Sequence, residues 1–152
     1  MDEPLYVLLV SDNHSDIALV QHELERVGYA PRILVAANES DYFGYVSSAE
    51  IRPDLIIAND DTRELAGLQS LRLLREWDAD IPYILLSNLL REELGLRALQ
   101  LGAADYLLTD RVARLGYAAI RVLEIESLKS RLRRVSALRL PTCQSINSGE
   151  EA

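Results

Sequence analysis

One cysteine, one methionine, one tryptophan and one phenylalanine in 152 residues leave few groups for thiol chemistry or aromatic anchoring. Cys143 has no partner for an internal disulfide, and its setting in a polar stretch does not suggest a catalytic thiol, so a reducing cytoplasm is expected. No apolar run approaches the roughly 20 residues of a membrane-spanning helix. The opening Met1-Asp2-Glu3-Pro4 lacks the basic segment of a signal peptide, and a soluble, cytoplasmic protein with no membrane role is expected. Positive charge is also scarce: 16 bases face 24 acids, a net charge of −8, which repels phosphate backbones. Five of those bases (Lys129, Arg131, Arg133, Arg134, Arg139) fall between Ser127 and Arg139, where there is no acid. The run reads as the solvated face of a helix near its C-terminus rather than a nucleic-acid surface. It contains no Trp or Phe to anchor it in a bilayer. His14 and His22 are too far apart for the i, i+4 spacing of a helical metal pair.

What the chain does contain is alternation. Five short apolar runs (Leu5 to Val10, Arg32 to Ala36, Leu55 to Ala58, Tyr83 to Leu86, Asp105 to Leu108) each have the length of a buried strand. Helical periodicity fills the gaps. Ile17, Val20, Leu24 and Val27 recur at steps of three and four, with Asn13 or Ser15 as N-cap and Gly28 placed to end the helix. Asn38 can cap a second helix from Glu39 to Ile51 that Pro53 stops; a third spans Gly67 to Trp77, and a fourth spans Leu90 to Leu101 and ends at Gly102. A last helix opens near Arg111 and has no Gly or Pro between Tyr117 and Leu140. Strands alternating with helices imply right-handed crossovers and a parallel sheet covered on both faces. Sites in such sheets lie at the carboxyl ends of the strands.

The segments LYVLLVSDNHSDIALVQHELERVG, RPDLIIAN, AGLQSLRLLRE, IPYILLS and ALQLGAADYLLT together resemble, in order and spacing, the receiver domain of two-component response regulators over residues 4–126. The resemblance implies a flavodoxin-like (βα)5 fold, an α/β five-stranded parallel sheet in the order 2-1-3-4-5, with an extended C-terminal helix. It also implies phosphoryl transfer from a histidine kinase to an aspartate at the end of strand three. Two acids after strand one hold Mg²⁺ there, a Ser or Thr ends strand four, and a Lys ends strand five. Counting back from Gly67 puts Asn59 at the acceptor position, and a neutral amide is no carboxylate nucleophile. The acidic pair is reduced to Ser11 and Asp12, and Thr109-Asp110 stands where Lys-Pro is usual. Ser87 and Tyr106 match the hydroxyl and aromatic positions that couple phosphorylation to surface rearrangement.

With Asp12 the one family-position carboxylate, strong Mg²⁺ binding is not expected and no other cofactor is implied. Losing nucleophile, cation and metal charge together removes the positioning and electrostatics of phosphoryl transfer. The expectation is a pseudo-receiver: a non-catalytic signalling module, not an enzyme, acting through protein partners such as a sensor kinase or a downstream effector domain. Two other readings remain open at this point. Asp61 or Asp60 could take over as acceptor, although strand alternation turns Asp60 away from the pocket that Asn59 faces. A flavodoxin-like small-ligand site could occupy the same strand ends, although Ser11-Asp12-Asn13-His14 contains no glycine for a phosphate loop. Ile125, Leu128, Leu132 and Val135 form a near-heptad stripe on a helical extension over 127–140, which predicts a homodimer, joined by a surface that includes Arg97, Tyr106 and Arg114. Residues 141–152 read as a disordered tail or linker.

Overall fold

The computed structural model describes residues 4–60, 62, 65, 68–87 and 92–151, without the side chains of Glu92 and of residues 137–151. It divides into two units, Met1–Val122 and Leu123–Ala152.

The first unit holds five parallel strands, β1 (Leu5–Val10), β2 (Pro31–Ala36), β3 (Leu55–Asn59), β4 (Tyr83–Ser87) and β5 (Asp105–Leu108). They lie in the order β2-β1-β3-β4-β5. Register is continuous: Val10 lies beside Ala36 and Ala58, Asn59 beside Leu86, and Ser87 beside Leu108. The carboxyl ends of β1, β3 and β4 therefore meet along one edge, at the point where strand order reverses. The crossover helices are α1 (His14–Arg26), α2 (Glu39–Val46), α3 (Gln69–Glu76) and α4 (Glu92–Gln100).

Helix ends follow their caps. Asn13 Oδ1 accepts from the Ser15 amide at the start of α1, and Asn38 Oδ1 accepts from the Asp41 amide at the start of α2. Gly28 and Gly102, with φ of +99° and +100°, end α1 and α4 in the left-handed region that a side chain disfavours. Helix α2 stops earlier than Pro53 would require. The Ser47 hydroxyl donates back to the Phe43 carbonyl at 2.6 Å and closes the last turn. The final helix also opens later than expected. A 3-10 segment, Thr109–Arg114, comes first, with Arg111 outside helical φ/ψ, and α5 (Leu115–Glu151) follows.

Side-chain alternation gives the sheet two buried faces. Leu8, Val10, Ile56, Ala58, Tyr83 and Leu85 pack with Tyr42 of α2, Leu71 and Leu74 of α3, and Ala98 of α4. On the other face Val20 and Leu24 of α1 and Leu115, Ala119 and Val122 of α5 are buried. A Cβ on Gly116 would lie 2.7 Å from Val27 Cγ1 and 2.8 Å from the Glu23 carbonyl, so α5 starts in direct contact with α1.

The second unit is the later part of α5, assigned as helix through Glu151, past Pro141, where sequence composition predicts a tail. Ile125, Leu128, Leu132 and Val135 are exposed by 46%, 55%, 67% and 50%. They follow one another at steps of three and four along α5. Lys129 and Glu126 sit 3.9 Å apart along the same helix. No helix among the described residues is long and apolar enough to cross a membrane.

Candidate functional site

The end of β3 places two neighbouring polar residues in different surroundings. Asn59 turns toward α1, and its Nδ2 donates to Asp16 Oδ2 at 2.6 Å. The same carboxylate oxygen accepts from Ser11 Oγ, also at 2.6 Å. Ser11 Oγ in turn accepts from the Asn13 amide at 3.0 Å, which shapes the turn between β1 and α1. Ser11 and Asp16 are buried. Asp12 is exposed on that turn, just outside the helix that Asn13 caps.

Ser11 and Asp12 occupy the two positions directly after β1, and a further acid joins them in space. A buried carboxylate does reach the strand ends, but it comes from Asp16 in the first turn of α1. The signal was in the sequence: Asp16 precedes Val20 and Leu24 at four-residue steps, and so lies on the buried stripe of the helix. An acid on an apolar stripe needs a partner inside.

Asp60 points the other way. Its Oδ2 accepts from Ser87 Oγ at 3.2 Å, and both residues are buried. Farther into this face, Ser70 Oγ and Tyr83 Oη are 2.6 Å apart, and Tyr42 Oη donates to the Ser70 carbonyl at 2.8 Å. Burial pushes the Tyr83 phenol far above its ordinary value; the Ser70 hydrogen bond works against that shift, and the Asp60 charge adds to it. Burial likewise raises Tyr42, with Tyr83 adding and Arg75 opposing. This polar chain through the core was not anticipated from sequence.

Thr62, just past β3, donates to the Val10 and Asn59 carbonyls at 3.1 and 2.9 Å and closes the turn over β1. Thr109 Oγ1 is buried and has no hydrogen-bond partner among the described residues. Tyr106 is half-buried, and its ring lies over Gly95 of α4, where a Cβ would meet Cδ2 at 2.7 Å. Tyr106 and Arg114 line a groove of about 500 Å³ with Asp105, Leu107, Tyr117 and Arg121, across which Arg121 pairs with Asp105 at 2.8 Å. Arg97 is exposed on α4 and does not line this groove. His14 and His22 are exposed. Asp61, the other candidate acceptor, lies outside the described residues.

Residues 7–114 match the family model of the response regulator receiver domain. The chain belongs to that family. Among curated relatives, a protein-glutamate methylesterase/protein-glutamine glutaminase of Rhodopseudomonas palustris (strain BisB5) is 33% identical over 108 residues, covering 69% of this chain and 27% of the relative. The alkaline phosphatase synthesis transcriptional regulatory protein PhoP of Bacillus subtilis is 30% identical over 101 residues, covering 66% of this chain and 40% of the relative. The chain spans well under half the length of either. Among solved structures, the receiver domain of the Francisella response regulator 1452 superposes with a TM-score of 0.68 at 22% identity, covering 82% of this chain and 99% of that one. Receiver domains work in two-component signalling, where they meet kinases and effector domains, and are typically signalling modules rather than enzymes.

The Mg²⁺ that the receiver family implies does not fit these side chains. Asp16 Oδ2 is already committed to two donors at 2.6 Å, and Asn59 turns a donor nitrogen, not a ligand oxygen, toward it. Among the described residues no three His, Cys, Asp or Glu side chains are grouped to hold a metal ion.

Proposed function

We propose that this receiver domain is a pseudo-receiver: a signalling module that works by protein contacts and dimerisation without aspartyl phosphorylation at the usual position. The observation that carries this reading is Asn59, an amide at the acceptor position whose Nδ2 is engaged by Asp16. Thr109 at the lysine position supplies no cation. Incubation with acetyl phosphate or beryllofluoride and Mg²⁺ should leave the mass and the spectra of the protein unchanged. An adduct at Asp60 or Asp61, lost when that residue is replaced, would instead make the chain a working receiver with a shifted acceptor. For Asp60 the obstacle is access, because its carboxylate is buried against Ser87. Appreciable phosphorylation should need Asn59→Asp together with Thr109→Lys, and equal labelling of the single variant would remove the role given to the lysine position.

The dimer rests on the stripe of α5. Ile125 and Leu132 take heptad position a, Leu128 and Val135 take d, and four exposed apolar side chains on one line gain from burial against a second copy. In a parallel pair, Glu124 at g faces Lys129 at e of the partner, an attractive contact that repeats by symmetry. Arg131 at g then faces Ser136, so the basic run opposes pairing less than its charge suggests. Sedimentation of the intact chain beside a Leu128→Glu, Leu132→Glu variant tests this. A dimer that becomes a folded monomer supports the pairing, and a wild-type monomer at high micromolar concentration ends it.

A further inference from the structure

We propose that Asn59 is a positioning residue for Asp16, and that the Asn59 amide, the Asp16 carboxylate and the Ser11 hydroxyl form an interlock that fixes the ends of β1 and β3 against α1 without a bound cation. The inference deepens the reading of Asn59 as a non-reacting group and rests on it. Its geometric basis is convergence: two donors, Ser11 just past β1 and Asn59 at the end of β3, reach one oxygen of a helix residue, each at 2.6 Å. Asp16 is 6% exposed, so its charge is largely removed from water and needs such donors to remain there. Ser11 is held in turn by the Asn13 amide, and Asn13 caps α1, so the interlock continues into the first turn of the helix.

Asn59 is therefore more than a nucleophile that has been lost. It is a donor matched to an acid that the same pocket buries. A carboxylate at position 59 would have nearly the same shape but would face Asp16 at 2.6 Å as a like charge. Only a shared proton or a bridging cation relieves that repulsion. The wild-type chain is thus indifferent to divalent cations, and restoring an aspartate makes its stability depend on them. Exchanging the two groups, Asp16→Asn with Asn59→Asp, keeps one amide and one carboxylate in contact and should need no cation.

The test is thermal unfolding of the full chain in EDTA and in about 10 mM MgCl₂ at matched ionic strength, a concentration at which millimolar or tighter binding becomes visible. The wild type should melt within about 1 °C in the two media. Asn59→Asp should lose at least about 5 °C in EDTA and recover most of it with Mg²⁺, and the exchanged pair should stay within about 2 °C of wild type in EDTA. Stabilisation of the wild type by Mg²⁺, or an Asn59→Asp variant as stable as wild type in EDTA, overturns the proposal. If Asn59→Asp does not fold, the exchanged pair decides: folding supports the interlock, and failure to fold overturns it. Phosphoryl uptake by the wild type would remove the pseudo-receiver reading while leaving this thermal comparison intact.

Discussion

Asn59 and Asp60 are adjacent in the chain, yet their side chains leave the end of β3 in opposite directions and meet different kinds of polar surroundings. Asn59 joins a short cluster at the strand ends, where a neutral amide and a hydroxyl satisfy the buried acid of α1. Asp60 joins Ser87 on the face that carries Tyr83, Ser70 and Tyr42 through the core to α2. The first cluster fixes a turn that flanks the strand ends, and the second is part of the packing itself. The difference teaches that a receiver strand end with an amide at position 59 stays polar where each polar group has a local partner.

The two clusters should therefore fail by different amounts. Tyr83 is fully buried within a cluster shared by β1, β3, α2 and α3, so Tyr83→Ala removes a large side chain, leaves a cavity and strips Ser70 of its partner. Loss of about 3–5 kcal/mol is expected, enough to threaten folding at ambient temperature. Ser11→Ala removes only a hydroxyl and one of two donors to Asp16, and about 1–2 kcal/mol is expected. Urea titration of the two variants measures both, and equal losses would erase the distinction between packing and tether.

Alkaline pH separates the clusters without mutation. Tyr42 and Tyr83 have folded values raised above the ordinary phenol value, first by burial. The unfolded chain releases these protons near pH 10, while the folded chain holds them. Stability is thus fully present below about pH 10 and is lost as pH rises through the window above it, by up to about 1.4 kcal/mol per pH unit for each tyrosine. Tyr83→Phe should make the fall in urea midpoint between pH 10 and 11 clearly shallower than in wild type. An unchanged slope would mean that Tyr83 ionises in place.

Much of the fold was legible because it depends on local signals. The apolar runs mark all five strands, Asn13 and Asn38 cap the helices that they precede, and Gly28 and Gly102 sit where positive φ is needed. Helix α2 was read too long because Pro53 is a conspicuous stop, whereas the Ser47 hydroxyl ends the helix by a back-bond that a serine does not advertise. At the site, the opposite orientations of Asn59 and Asp60 follow from strand alternation alone. Asp16 does not directly follow a strand, and its role depends on the buried stripe of a helix. The chain Tyr42, Ser70, Tyr83 needs three elements in contact, and no single stretch of sequence carries that information.

The smallest effect is expected at Thr109, where the comparison reaches its limiting case. The strand-end hydroxyls of Ser11, Thr62 and Ser87 each have a partner, whereas Thr109 Oγ1 is buried with none among the described residues. A buried hydroxyl without a hydrogen bond has given up water for nothing, so replacing it by a methyl group of similar size should be neutral or slightly favourable. Thr109→Val is expected to change stability by no more than about 1 kcal/mol, in the stabilising direction. It also keeps the β-branched shape at the junction where β5 passes into the 3-10 turn. Urea titration again measures the outcome. A loss comparable to that of Ser11→Ala would show that this hydroxyl does bond, in solution, to a group at the strand ends, and the interlock would then extend across the sheet from β1 and β3 to β5.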